Sequence, residues 1–346
     1  MSRPLKVVRS VAPSGELTVT VGQHDVDEYL EFVAARGRRE TLLATAFDLK
    51  VFFAWVAKPP ARVSTRDVVA FVAAQRRGAS KVVSLADGGS GLSARTVARR
   101  LSSVSGFYAY LLARGDSGVS LNPVPRGLAT RRTRRSGSRG APLVRTPRTL
   151  PRILAAAEVD ALVAALRTDR DRAMVEAMLL AGLRRCEVLG LRLGDLHPGE
   201  RRVFVAEGKG GHQRMIPIAG RFFVTLARYL EAERPADADT DRVFVVLKGP
   251  RRGQALSAYG LDEILDGARG RAGLERGTCH QLRHTCFTRL REAGMALEAV
   301  QAQAGHASIE TTRIYLHLGD RWLADEYRRA AEAIDAQVIG DRAVGR

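Results

Sequence analysis

Between Asp116 and Glu158 the chain contains no acidic residue, and this basic stretch divides the sequence into two parts. Nine arginines and five prolines lie in it, together with several Gly and Ser residues. Such a composition resists regular structure and is typical of an extended linker. A chain of 346 residues is also long enough for two domains. The sequence therefore predicts two folded domains joined by a linker over residues 119–151.

The overall charge indicates a polyanionic partner. The chain has 55 Lys and Arg residues against 37 Asp and Glu residues, for a net charge of +18. A surplus of this size destabilises a compact fold by self-repulsion unless a polyanion is bound. We therefore expect nucleic acid as the partner, with the linker lying along a duplex; a disordered, solubilising tether is the alternative. The linker residues expected to bind DNA are Arg131, Arg132, Arg134 and Arg135.

Composition excludes several other classes of protein. Hydrophobic residues make up 45% of the chain, which is enough for proper cores and excludes disorder throughout. Three cysteines cannot all pair with one another, which favours a reducing compartment. We find neither an apolar leader nor a stretch long enough to span a membrane, so a cytoplasmic protein without membrane contact is expected.

The first domain is predicted over residues 21–118, after an N-terminal tail over residues 1–20, and shows helical periodicity from Val21 to Gly115. Four amphipathic helices are predicted, the third beginning after Ser64 or Thr65, and the fourth beginning at Ser93 and ending near Gly115. The fourth helix carries one apolar stripe at intervals of three and four residues. Its members are Val97, Leu101, Val104, Tyr108 and Leu111.

Three arginines lie near the start of this fourth helix. Arg95, Arg99 and Arg100 could meet DNA phosphates, and a solvated basic face on an ordinary helix is the alternative. All three are predicted to be DNA-binding residues.

The second part, residues 152–346, is predicted to be mostly helical with a small antiparallel sheet. Two β-like runs, 202–206 and 214–218, are joined by a turn-rich segment, and residues 243–247 could supply a further strand. The predicted fold class is therefore mainly α throughout.

Arg184 follows directly after the helix break at Gly182. Backbone amides at the start of a new helix point outward there, and together with the guanidinium they suit an anion. Lys209 lies at the tip of the turn-rich segment, between glycines, where its ammonium can reach a neighbouring cleft and donate a proton to a departing alkoxide. The alternatives are a surface arginine and an exposed turn lysine.

Residues 279–286 hold two histidines, an arginine and two thiols. His280 and Arg283 are three residues apart and therefore adjacent on a helix. His280 and His284 have the spacing of a zinc helix, but the glutamate of the zinc-protease motif is absent, so no metal site is predicted. Cys279 and Cys286 are expected to be small packing residues. Farther along, His306 follows Gly305, and Tyr315 carries a phenol that becomes a nucleophile only beside cations or a base.

Together these segments follow the order Gly-Leu-Arg, Gly-Lys-Gly, His-x-x-Arg-His, Gly-His and Tyr. This order resembles the tyrosine recombinase or phage integrase family, and the resemblance covers residues 155–336. The residues that match the catalytic set of that family are Arg184, Lys209, His280, Arg283, His306 and Tyr315. The resemblance also implies that the first domain is a core-binding, SAM-like domain that clamps DNA.

The resemblance implies a reaction without ATP or any other cofactor and without a metal ion. Tyr315 would attack a phosphodiester of duplex DNA, form a 3′-phosphotyrosyl bond and free a 5′-hydroxyl that later attacks a partner strand. Arg184 and Arg283 would hold the non-bridging oxygens with planar forks.

The remaining roles also come from the resemblance. Lys209 matches the general acid for the 5′-oxygen, His280 a proton-handling histidine, and His306 a phosphate-binding histidine. Glu187 matches an acidic residue expected to support the site without carrying a proton. Gln281 stands where that family frequently has aspartate, a departure expected to alter packing more than chemistry.

The implied partners are double-stranded DNA and further copies of the chain. The resemblance implies a homotetramer on two DNA sites, with a dimer on each, and leaves room for accessory DNA-bending proteins. Residues 322–334 have helical spacing and are expected to dock into a neighbouring protomer, with packing on their own domain as the alternative.

Two other functions stay open at this point. A type IB topoisomerase cuts and reseals one strand by the same chemistry without exchanging partners. A non-enzymatic DNA-binding protein would show salt-dependent binding without a covalent adduct. Site-specific recombination, as used by mobile or circular elements, is the favoured function.

Overall fold

The computed structural model consists of two compact units, Met1–Arg148 and Thr149–Arg346, each with its own apolar core. Helices dominate both units and the sheets are small and antiparallel, so the predicted fold class is confirmed. The structure describes residues 5–11, 17–37, 39–77, 91–125, 127, 142–147, 152–206, 208, 213–305, 312, 327–328 and 331–332.

The main elements of the described part of the first unit are four α-helices and a hairpin, with a short 3-10 helix at Pro60–Arg62. They are β1 (Val8–Val11), β2 (Leu17–Thr20), α1 (His24–Arg36), α2 (Arg39–Val56), α3 (Thr65–Arg76) and α4 (Ala94–Arg114). The predicted caps are present, because the Ser64 hydroxyl accepts from the Asp67 amide and the Ser93 hydroxyl from the Thr96 amide. All five residues of the predicted α4 stripe are buried. The four-helix prediction is therefore confirmed.

Residues 1–20 are not simply a tail, contrary to the prediction. β1 and β2 pair in antiparallel register, with Val8 opposite Thr20 and Val11 opposite Leu17. Val19 and Val21 are buried in the core of the unit, and the Asp27 carboxylate accepts from the Val21 and Gly22 amides. Burial of these alternate valines explains why the segment folds as a strand instead of staying in solvent.

The linker prediction is wrong at its ends. Val124 is buried against the core of the first unit, and the Asn122 amide donates to the Ser105 carbonyl at 3.0 Å. Leu143 and Val144 also pack on that core. The boundary between the units falls at Arg148, so both described ends of the predicted linker belong to the first unit.

The three arginines near the start of α4 have different environments. Arg95 is exposed. Arg99 is also exposed and donates to Asp48, with 2.8 Å between Nη2 and Oδ1. Arg100 is only 8% exposed, lies 3.6 Å from Asp48 and donates to the Gln75 amide oxygen. Arg100 is therefore an interior residue, and its prediction as a DNA contact does not fit this environment.

Asp48 is a buried carboxylate on α2 that holds α4 in place. Its side chain has no exposed surface and accepts from the Ser103 hydroxyl at 2.9 Å as well as from Arg99. Burial raises the pKa of Asp48 against the opposing effect of these partners. The carboxylate thus supplies the charge that the buried Arg100 needs.

The second unit consists of short helices around a three-stranded sheet. Its described elements are α5 (Ala156–Ala164), α6 (Asp169–Leu180), α7 (Arg185–Gly190), β3 (Leu196–His197), β4 (Arg202–Val205), β5 (Arg214–Pro217), α8 (Gly220–Arg228), a π-helical turn (Tyr229–Glu233), α9 (Ala258–Arg271), α10 (Cys279–Glu292) and α11 (Leu297–Ala304). The sheet has the order β3-β4-β5 and is antiparallel, with Val203 opposite Ile216. Residues 243–247 do not form the further strand predicted for them and make only an isolated bridge, Val245 with Ala255.

Helix α6 lies at the centre of the second core. Ala173, Met174, Ala177 and Met178 are fully buried there, among side chains of α8, α10 and the sheet. Within the described residues, no helix is both long and apolar enough to cross a membrane.

We expect Asp48→Ala to destabilise the first unit by about 3–5 kcal/mol, because it leaves the interior Arg100 without its carboxylate. The effect is measured by urea unfolding, with hydrogen exchange of the α2 and α4 amides as the readout. Lys58→Ala is the matched control, since Lys58 pairs with Asp67 at the surface, and its cost should stay below about 1 kcal/mol. Equal effects of the two substitutions would contradict the role given to Asp48.

Candidate active site

The site is built where the chain turns sharply between α6 and α7. Gly182 has a φ of +67°, and a Cβ atom there would lie 2.3 Å from Cζ of Phe287 on α10. Glycine is therefore required both for the left-handed backbone and for the closeness of the ring. The turn places Arg184 immediately before the first residue of α7, next to α10.

Glu187 is the centre of the site. Its residue is only 3% exposed, and its Oε1 accepts from Nη1 of Arg184 at 2.7 Å. Arg214 on β5 binds both carboxylate oxygens, at 3.1 and 3.0 Å, and Nη1 of Arg283 lies 3.9 Å from Oε2. One carboxylate thus lies within ion-pair distance of three guanidinium groups.

The start of α7 binds an anion from the protein itself. The Arg184 amide donates to Oε2 of Glu187 at 2.9 Å, so this carboxylate caps the helix. Burial raises the pKa of Glu187, but the bonds from Arg214 and the Arg184 amide and the nearby positive charges outweigh it and lower the pKa to about 2. Glu187 is therefore ionised at neutral pH and does not act as a proton carrier there.

Arg283 is the most deeply placed of the three arginines, with 3% of its surface exposed. Its Nη1 donates to the Gly182 carbonyl and its Nη2 to the Ala304 carbonyl, the latter at 2.6 Å. The guanidinium carbon lies 4.7 Å from the centre of the Phe287 ring. These contacts fix the orientation of a planar fork whose position would be set before any substrate binds.

The C-terminal end of α11 is held by the same three arginines. The Gln303 carbonyl accepts from Nε of Arg214 at 3.4 Å, the Ala304 carbonyl from Arg283, and the Gly305 carbonyl from Nη2 of Arg184 at 3.4 Å. Carbonyls at a helix C-terminus carry the negative end of the helix dipole, which suits cations. Since Gly305 precedes His306 in the chain, the described residue next to that histidine touches Arg184.

His280 and His284 form a contacting pair on α10. Their Nε2 atoms are 2.8 Å apart, so one ring donates a hydrogen bond to the other. Burial lowers the pKa of His280, and the charges of Arg283 and Arg184 lower it further. Burial, His280 and Arg283 lower the pKa of His284 to about 4. Both imidazoles are therefore neutral at pH 7, and the neighbouring guanidinium charges disfavour their protonation.

The structure thus brings together four of the residues predicted for the site, namely Arg184, Glu187, His280 and Arg283. The other predicted catalytic residues, Lys209, His306 and Tyr315, lie outside the described residues. So do the four linker arginines, Arg131, Arg132, Arg134 and Arg135, and most of the predicted docking helix. In that helix Tyr327 is helical and 75% exposed.

Neighbouring residues in the same motifs have structural contacts. Arg185 pairs with Asp262 at the surface, so Arg184 is the arginine at Glu187. The Gln281 side chain accepts from the Gly277 and Thr278 amides at 2.9 and 3.0 Å and caps α10, in line with a departure that alters packing. Gln281, the third residue of α10, thus caps the start of the helix, although the family frequently has aspartate at this position.

The two cysteines of α10 differ in burial but not in chemical character. Cys286 is 1% exposed in a small core with Phe287 and Val300, and Cys279 is partly buried. Burial raises the pKa of Cys279 to about 11 and that of Cys286 to about 12. Both thiols therefore stay protonated and pack as predicted. No group of three or more His, Cys, Asp and Glu side chains that could hold a metal ion occurs in the described ranges.

Sequence reasoning missed Arg214. It begins a predicted β-like run and is one of 55 basic residues in the chain, so no sequence signal separates it from the others. An indirect indication came from Glu187. A buried carboxylate with one arginine partner needs further cations or hydrogen-bond donors to stay ionised.

The depressed pKa of Glu187 makes a prediction about acid stability. Since the folded value of about 2 lies below the ordinary 4.5, ionised Glu187 stabilises the unit above pH 4.5 by about 3 kcal/mol, and this is lost as the pH falls toward 2. We expect Glu187→Gln to lower the free energy of unfolding at pH 7 and to differ progressively less from wild type below pH 4.5. Denaturant unfolding at a series of pH values measures this difference.

Glu200→Gln is the control, at an exposed turn residue, and should change stability by less than about 0.5 kcal/mol at pH 7. A Glu187→Gln difference that is independent of pH would contradict the assignment.

Comparison with known proteins places the chain among recombinases. Residues 152–321 match the model of the phage integrase family, and residues 26–115 match that of the phage integrase N-terminal SAM-like domain. Tyrosine recombinase XerD of Listeria monocytogenes serotype 4b (strain F2365) is 31% identical over 324 residues, which cover 88% of this chain and 97% of that protein. Tyrosine recombinase XerC of Roseiflexus sp. (strain RS-1) is 30% identical, covering 94% of this chain and 92% of that protein.

Solved structures show the same fold. The XerH site-specific recombinase bound to its palindromic difH substrate has a TM-score of 0.63 at 20% identity, covering 87% of this chain and 83% of that one. The integrase of transposon Tn1549, in complex with transposon right end DNA, has a TM-score of 0.65 at 18% identity, covering 89% and 99%. The resemblance predicted from the motif order is thus confirmed, and the chain belongs to the phage integrase family of tyrosine recombinases.

Proposed function

We propose that the protein is a site-specific DNA recombinase that cleaves and rejoins duplex DNA through a 3′-phosphotyrosyl intermediate. The observation that supports this most strongly is the cluster around Glu187, in which three guanidinium groups face one carboxylate next to a neutral imidazole. Such a site retains an excess of positive charge and suits a phosphodiester whose non-bridging oxygens gain negative charge in the transition state.

The chemistry would proceed by two displacements at phosphorus. The Tyr315 oxygen bonds to phosphorus, its proton passes to a base such as His280, and the bond from phosphorus to the 5′-oxygen breaks. Lys209 gives that oxygen a proton, so a 5′-hydroxyl leaves. A 5′-hydroxyl from a partner strand then gives its proton to Lys209 and attacks the phosphotyrosine, the bond from phosphorus to the Tyr315 oxygen breaks, and the phenol recovers its proton from the base. Arg184 and Arg283 stabilise the charge in both steps, and His306 binds the phosphate.

The assembly is also part of the proposal. Strand exchange needs two duplexes, which supports a homotetramer with a dimer on each DNA site, and the relatives compared above are recombinases, some of them solved with DNA. We propose DNA in the cytoplasm as the substrate, with Arg95 and Arg99 among the residues that meet its phosphates. The C-terminal helix would dock into a neighbouring protomer, and accessory DNA-bending proteins are further candidate partners.

The proposed nucleophile can be tested with DNA that traps the intermediate. A site is first selected by binding of the wild-type protein from a random-sequence duplex pool, and a nicked duplex carrying it is then incubated with the protein. We expect a denaturation-resistant protein–DNA band with wild type and none with Tyr315→Phe, since phenylalanine lacks the attacking oxygen. Tyr259→Phe is the control, at an exposed tyrosine of α9 in the same unit, and should retain the band.

The outcomes separate the three candidate functions. Tight binding by wild type without any covalent band would contradict the proposal and favour a non-enzymatic DNA-binding protein. A covalent band without strand transfer to a second duplex would favour a type IB topoisomerase. Transfer to the second duplex is the result that the recombinase proposal requires.

The basic segment of the predicted linker makes a separate prediction. Replacing Arg131, Arg132, Arg134 and Arg135 by glutamine should weaken binding to all DNA sequences and reduce the slope of log affinity against log salt by about one unit per lost phosphate contact. Filter binding or fluorescence anisotropy across a salt series measures both.

A matched variant tests whether position matters or only total charge. It loses four exposed arginines of the second unit, namely Arg221, Arg228, Arg251 and Arg252. If the two variants lose equal affinity, or if the linker variant binds like wild type, the linker does not lie along the duplex.

A further inference from the structure

Arg214 is the first residue of β5, and its guanidinium is fully engaged inside the protein. Nη1 and Nη2 donate to the two oxygens of Glu187 at 3.1 and 3.0 Å, and Nε donates to the Gln303 carbonyl at 3.4 Å. Its side chain is 13% exposed. The three nitrogens of Arg214 thus connect Glu187 with the end of α11, so the side chain is suited to holding these groups in place.

The fork of Arg214 limits how Glu187 can pair with Arg184. A carboxylate with a single arginine partner favours a bidentate pair that uses both of its oxygens. Here Arg214 contacts both oxygens, and the Arg184 side chain makes one bond, from Nη1 to Oε1 at 2.7 Å. The other terminal nitrogen of Arg184 has only a long contact of 3.4 Å with the Gly305 carbonyl. Arg184 is thus held at one end of its fork, and the weakly held end can turn to a phosphate oxygen.

Arg214 also ties β5 to the end of α11. The Gln303 side-chain amide donates to the Pro217 carbonyl at 3.1 Å, so both ends of β5 contact the same residue of α11. Gly305 has a φ of +59°, and a Cβ atom there would lie 3.0 Å from three atoms of the Arg214 guanidinium. The side chain therefore packs directly against the turn at which α11 ends.

We infer that Arg214 is a positioning residue for DNA strand cleavage. Its two hydrogen bonds to the carboxylate of Glu187 leave Arg184 oriented for the scissile phosphate. The inference rests on the proposed recombinase function. Lysine at this position would keep the positive charge but could not bridge two carboxylate oxygens and a carbonyl with one planar group. Arg214→Lys should therefore preserve the charge balance around Glu187 while it releases Arg184 to pair with both oxygens.

The test separates cleavage from binding. Arg214→Lys and wild type are compared on the nicked duplex selected by the wild-type protein, with protein in excess and at saturation, and the rate of covalent adduct formation is measured. We expect the rate to fall about 100-fold while the Kd for the same duplex changes by less than about threefold. Circular dichroism establishes that the variant is folded at the assay temperature, so a loss of rate alone does not reflect unfolding.

A matched control and a second variant complete the design. Arg202→Lys makes the same change on the neighbouring strand β4, at a side chain that is 54% exposed and paired with Glu200, and should cleave at the wild-type rate. Arg214→Gln also cannot make all three bonds and should be slowed in the same way. It carries the test if Arg214→Lys does not fold.

A double-substitution cycle tests the route through Glu187. If Arg214 acts by holding that carboxylate, Arg214→Lys should slow a Glu187→Gln protein by much less than it slows wild type. An equal slowing in both backgrounds, a wild-type rate in folded Arg214→Lys, or a loss explained by Kd alone would each overturn the inference. Absence of any adduct with wild type would instead overturn the proposed function, so the two failures are distinguishable.

Discussion

A buried carboxylate stays ionised only when cations and hydrogen-bond donors replace the water it has lost. Glu187 meets this condition through Arg184, Arg214 and the amide at the start of α7, with Arg283 close by. Removal of any one of these donors changes the balance for the others, since they share two oxygens. The position of α7 and the orientation of the arginines around it therefore depend on a single ionised group.

The same arrangement explains how three arginines can lie close together before DNA arrives. Their mutual repulsion is reduced by Glu187 and by the carbonyl groups at the end of α11, which carry partial negative charge. These partners compensate only part of the positive charge. In the proposed reaction, the phosphodiester would add negative charge to this preformed cluster of donors. Preorganisation of this kind is the largest contribution that many enzymes make to lowering a barrier.

Local patterns predicted the helices well because helix formation depends on neighbours three and four residues away. The stripe of α4 and the caps at Ser64 and Ser93 are of this kind. The motif order predicted the family and the grouping of Arg184, His280 and Arg283, because each motif places its residue at a defined turn or helix start. The two short strands at the N-terminus were missed, although alternation at Leu17, Val19 and Val21 carried the signal.

Contacts between distant residues could not be predicted in this way. Arg100 has the appearance of a surface residue, and only the burial of Asp48, which lies on another helix, shows that it is internal. Arg214 likewise gains its role from Glu187 and Gln303, which are remote in the sequence. In a chain rich in arginine, charge alone does not distinguish those that hold the interior from those that face a polyanion.

The contact between Gly305 and Arg214 restricts how chains of this family can be recombined with one another in the laboratory. A chimera that takes everything after residue 296 from a relative joins a new α11 to the existing β5, and any side chain at position 305 would place its Cβ 3.0 Å from the Arg214 guanidinium. Crossover points that keep β5 and the end of α11 from one parent avoid this mismatch. A crossover at the boundary between the two units, at residue 148, also leaves that pair intact.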